Sequence, residues 1–180
     1  MESRKLNLAA TILVTTVWAL ATSCSSGGGN FEKSKQLITK HELNVLSGDK
    51  TNKGKRFSVV GYPAFTGDIS ISNSRTPVLS VYTEPEGKGD LVISFSIELG
   101  KSRNEVYVPE EFTIKDIALY DNDGVAHKYN EKMQFSFTLN LQTNLERHSV
   151  MEMKIVDGKL QTESIKGYLQ RIEDVRIDKA

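Results

Sequence analysis

The sequence predicts an all-β fold: a single antiparallel β-sandwich with one short N-terminal helix, a small OB-like barrel being the alternative. Three observations predict it. Leu91, Ile93, Phe95, Ile97 and Leu99 alternate with Val92, Ser94, Ser96 and Glu98, and Phe135, Phe137, Leu139 and Leu141 alternate with polar neighbours. Period two marks strands with one buried face. Turn-forming stretches punctuate the chain at Pro85-Glu86-Gly87-Lys88-Gly89, Asn122-Asp123-Gly124 and Asp157-Gly158. About nine short strands with one wet face each suit a sandwich or barrel. That number favours the sandwich, because an OB barrel uses about five.

The helix comes first. Thr39-Lys40-His41-Glu42 matches a capping box, with Ile38 and Leu43 placed as a hydrophobic staple. It predicts a helix over 40–46 ended by Gly48; so short a helix needs packing on the domain to be stable. Residues 48–55 are polar and read as a loop. Besides the two strong strands at 91–99 and 134–142, weaker alternation predicts strands near 56–62, 68–72, 77–83, 112–121, 125–129, 150–156 and 165–177. Two fragments echo each other, "VVGYPAF" from Val59 and "IKGYLQR" from Ile165. Glycine inside a strand marks a bend or bulge.

The first thirty residues locate the protein. Arg4 and Lys5 precede an uncharged, mostly apolar run from Leu6 to Leu20. As a helix that run rises only about 22 Å, against a hydrocarbon core of about 30 Å, so it fits a secretory signal better than a membrane span. Ala21-Thr22-Ser23 leads to Cys24, the only cysteine of the chain. This resembles the lipobox of bacterial lipoproteins, although Leu20 lies one place further from the cysteine than the usual leucine. The resemblance implies a diacylated cysteine as the mature first residue, and two acyl chains give stable attachment. Residues 1–23 are then a lipoprotein signal peptide, 24–30 a lipidated flexible tether, and 31–180 the β-rich domain. Gly/Ser-rich segments behave as coils. Ser25 after the cysteine, by likeness to enterobacterial lipoproteins, implies an outer-membrane location facing the periplasm. Processing removes the only tryptophan, Trp18, and leaves 21 basic and 22 acidic residues. That balance argues against nucleic-acid binding, which needs basic excess.

No catalytic motif stands out. His41, His127 and His148 lack ligand spacing, and a zinc site needs three or four converging ligands. Asp121-Asn122-Asp123-Gly124 tempts a calcium reading, but in an EF-hand register its first and twelfth positions fall on Leu119 and Asn130. A hairpin turn explains it better. His148 reads as part of a polar loop, and the pair Glu110-Glu111 as solvated. Tyr107, in "RNEVYVPEEF", combines apolar area with a polar tip and is a candidate interface residue, though a tyrosine in such a place more often lids the core. No cofactor is called for. The sequence thus predicts a lipoprotein acting as a binding or assembly module of the bacterial envelope. Its partners would be the membrane, through lipid on Cys24, and an envelope protein or polymer. A solute-binding lipoprotein for a sugar or metal ion, or an enzyme with a dispersed site, are the alternatives.

Overall fold

The computed structural model describes residues 30–65, 76–111, 113, 115–143 and 148–180, side chains excepted at 148–154 and 163–166. The predicted helix is α1, Lys40–Leu46. Its capping box forms as expected: the Glu42 amide donates to Thr39 Oγ1 at 3.2 Å, and the Thr39 amide donates to Glu42 Oε2 at 2.7 Å. Ile38 and Leu43, the staple pair, are both buried. Ser47 ends the helix, not Gly48; its amide and hydroxyl both donate to the Leu43 carbonyl. Replacing Thr39 with alanine removes the cap and should lower stability by about 1 kcal/mol, read from a urea midpoint.

Eleven strands follow among the described residues: β1 Arg56–Ala64, β2 Val78–Tyr82, β3 Leu91–Ser96, β4 Glu98–Leu99, β5 Glu105–Tyr107, β6 Ala118–Tyr120, β7 Ala126–Lys128, β8 Met133–Gln142, β9 His148–Val156, β10 Lys159–Gly167 and β11 Leu169–Lys179. They form a five-stranded sheet ordered β11-β8-β1-β2-β3, a four-stranded sheet ordered β4-β5-β6-β7 and the β9–β10 hairpin. All pairings are antiparallel except β4 with β5. Among the described residues the outer strands β3 and β11 approach each other without pairing, so hydrogen bonds there do not close the large sheet into a barrel. The fold is all-β with one short helix.

The strong alternation places the core. Phe135, Phe137, Leu139 and Leu141 on β8 are fully buried, beside Phe57 and Val59 of β1 and Ile177 of β11. Ile93, Phe95 and Ile97 are buried too, but Leu91 is 39% exposed. The cause is a bulge: Ile93 pairs with Val81 and Leu91 with Tyr82, which leaves Val92 as an extra residue and puts Leu91 out of step. The expected strand 91–99 is also divided, β3 lying in one sheet and β4 in the other. Both sheets feed one hydrophobic cluster, to which the four-stranded sheet adds Val106 and Leu119.

Other expectations are corrected. The strand near 112–121 shrinks to β6, because Thr113 and Asp116 make a local turn in which the Asp116 carboxylate accepts from the Thr113 amide and hydroxyl. The strand 165–177 is two strands joined at Tyr168, and β10 begins earlier, at Lys159. His148 opens β9 and is not in a loop. Asp157-Gly158 makes the β9–β10 turn with φ of 51° and 72°, the left-handed pair that two-residue hairpins require. The strand near 68–72 lies outside the described residues.

The outer face of the large sheet is covered by a strap, residues 30–38. It starts at β11, where Arg176 Nη1 donates to the Phe31 carbonyl at 2.9 Å. It crosses β8, where the Ser34 amide donates to Ser136 Oγ at 3.1 Å. It ends beside β1, where the Ile38 amide donates to the Ser58 carbonyl and the Ser58 amide to that of Gln36. Arg56 braces the same face, donating to Glu32 and Asp174 carbonyls and to Thr138 Oγ1.

Candidate functional site

Two places gather chemistry: the corner where the strap begins, and a groove where it ends. At the corner the Asn104 side chain spans two elements. Its Oδ1 accepts from the Ile177 amide at 2.8 Å, and its Nδ2 donates to Asn122 Oδ1 at 3.2 Å. Asn122 Nδ2 in turn donates to Asn30 Oδ1 at 3.1 Å, while the Asn122 amide donates to the Ile177 carbonyl. Asn104 holds φ of 57°, a left-handed conformation that asparagine tolerates better than most residues. The first described residue is thereby tied to the β6–β7 turn and the end of β11.

The DNDG stretch is that turn, as expected. Gly124 has φ of 80°, and its amide donates to the Asp121 carbonyl at 3.0 Å. Asp121 Oδ1 accepts from the Asp123 and Val125 amides, and Oδ2 lies 2.7 Å from His127 Nε2. The carboxylate is therefore spent on its own turn. Burial works to raise its pKa, but the hydrogen bonds from His127 and the two amides outweigh this and hold it below the usual aspartate value. The sign follows: Asp121 contributes stability that is present above its unfolded pKa, about 3.9, and lost as pH falls through the lower folded value. An Asp121→Asn variant should lose less stability than wild type below about pH 4, measured by denaturant midpoints across an acid series.

The groove has a volume of ≈ 480 Å³. Ile38, Val60 and Val92 give it apolar walls, with Leu37 59% exposed at its edge; Lys40, Glu42 and Asp90 supply charge. It forms because α1 and the strap are set against β1 and the β2–β3 connection. Its size fits a small ligand or a few side chains. A smaller hollow of ≈ 310 Å³ is lined by Lys115, Lys128, Tyr129 and Asn130.

Tyr107 sits on β5, half-buried, with the Lys101 ammonium 4.0 Å from its ring centroid. His41 lies on α1 at the groove; His127 lies on the edge strand β7, its side chain in the Asp121 contact. Glu110 and Glu111 are exposed. Cys24 and Trp18 lie outside the described residues. Among the described residues no group of three or more His, Cys, Asp or Glu side chains could hold a metal ion. Comparison with protein-family models, curated proteins and solved structures finds no match to this chain.

Sequence reasoning missed two clusters. Ser34, Ser58 and Ser136 are buried and mutually hydrogen-bonded, though alternation assigns Ser136 to the wet face. The Asn30–Asn122–Asn104 chain left no signal beyond the turn propensity of Asn122.

Proposed function

We propose that the chain is a lipoprotein anchored through Cys24 that acts as a binding or assembly module of the bacterial envelope, at the outer membrane facing the periplasm. One observation carries the reading: the only cysteine follows a signal-length apolar run and precedes a Gly/Ser tether. The body is consistent with it, since Asn30, where that tether ends, is fastened to the folded domain. The two larger sheets are read as the layers of one sandwich, because they share a core and the stretch 91–99 passes from one to the other. The groove beside α1 is the surface offered to a partner.

Replacing Cys24 with serine tests the anchor. The expected result is an unprocessed precursor without acyl label; a wild-type mature chain that begins elsewhere and carries no lipid mass overturns it. A second reading, solute binding, is favoured by the groove volume alone. Ligand-dependent melting shifts with sugars or metal ions would reveal it.

A further inference from the structure

We infer that the corner seating Asn30 is the face the body presents to the bilayer, and that it docks on an anionic lipid surface. The inference rests on the anchor at Cys24 and adds the orientation that the anchor alone leaves open. Two arguments carry it.

The first is reach. Cys24 and Asn30 are six residues apart, so the link between them spans at most about 21 Å. The chain does not swing freely beyond Asn30. Its side chain is held by Asn122, the Phe31 carbonyl by Arg176 and the Ser34 amide by Ser136. The point of departure is therefore fixed on the body, between the β6–β7 turn, the 101–104 loop and the end of β11.

The second is charge. The exposed charged side chains on the segments that meet here are Lys35, Lys101, Arg103 and Lys179, with Lys33 paired to Asp178, against Glu32, Asp123 and Asp174. The other acids are buried and engaged. Asp178 is held by Arg176 and Lys33, Asp121 by its turn and His127, and Glu105 by the Ser102 amide. The fold thus turns Glu105, Asp121 and Asp178 inward and leaves more cations than anions outside, where each cation contributes roughly fivefold to association with a negative bilayer surface. Val125, 54% exposed in the same turn, adds an apolar contact.

The test uses the lipidated full chain on vesicles. The sulfur of Cys24 is occupied by lipid, so Val125→Cys supplies one free thiol for a fluorophore; the Val125 amide bond to Asp121 does not depend on its side chain. Thr51→Cys gives a reference label on the turn beside Leu139, at the other end of β8. Headgroup-quencher lipids should quench the label at 125 on phosphatidylglycerol vesicles. Quenching should fall on phosphatidylcholine, at high salt, and in the exposed triple variant Lys35→Glu, Arg103→Glu, Lys179→Glu, whose docked-to-undocked ratio should drop by at least about a hundredfold. The label at 51 should stay unquenched. If the protein floats with both vesicles but quenching ignores lipid charge and the triple variant, or if both labels respond alike, the corner is not the docking face and the anchor stands. If it floats with neither, the anchor fails and the orientation with it.

Discussion

Replacing Phe135 with alanine is expected to destabilise the protein by about 3–5 kcal/mol, the largest loss of any single side chain considered. Phe135 is fully buried on β8, the strand paired to both β1 and β11, opposite Val59 on one side and Ile177 on the other. Its ring lies 5.8 Å from that of Phe95 at 53°, a tilted contact between β8 and the outer strand β3. Truncation opens a cavity that three strands line and none can fill, since each is fixed by its ladder. It also removes an aromatic pair worth about 0.5–1.5 kcal/mol beyond burial. Domains of this size are stable by about 5–15 kcal/mol, so the variant should unfold at much lower denaturant. Leucine at 135 keeps most of the volume and should cost roughly a third as much. Chemical denaturation of the three proteins checks the order; an alanine variant within about 1 kcal/mol of wild type would show that Phe135 is not central to the core.

The residues that make this core were legible because alternation is a direct record of burial when one face of a strand is wet. Where that condition held, on β8 and most of β3, the buried residues match the pattern. It failed where a non-local element covered the wet face. Ser136 looks like a solvent position, and only the strap, 102 residues from it along the chain, makes it interior. The capping box was readable because every atom it uses lies within four residues. Its end was not, because Ser47 also binds Gln170 and Tyr168, contacts that no local sequence announces. The same holds for the candidate site. The turn at Asp121 was visible in its own residues; the groove exists only because α1, β1 and the β2–β3 connection meet.

The two glycines of the echoing fragments should respond oppositely to alanine, although their sequence contexts look alike. Gly61 is where β1 changes partners: residues 56–61 pair with β8, and from Tyr62 onward the strand pairs with β2. A Cβ at Gly61 would lie 2.6 Å from Val81 Cγ1 and 2.5 Å from the Tyr82 carbonyl oxygen. Val81 is fully buried and Tyr82 is fixed in register with Tyr62, so neither can withdraw without breaking a ladder or the core. Such overpacking costs about 1–3 kcal/mol or more. At Gly167, between β10 and the Tyr168 link to the helix end, the nearest atom to an added Cβ is the Ser47 carbonyl oxygen at 3.6 Å, an ordinary contact. There alanine meets no obstacle and reduces unfolded-chain freedom, which favours the folded state by about 0.4–1 kcal/mol. Gly61→Ala should therefore lower the melting temperature by several degrees while Gly167→Ala leaves it equal or slightly raised. Equal losses at both sites would mean that β1 does not pass this close to β2, and that its change of partner does not depend on a missing side chain.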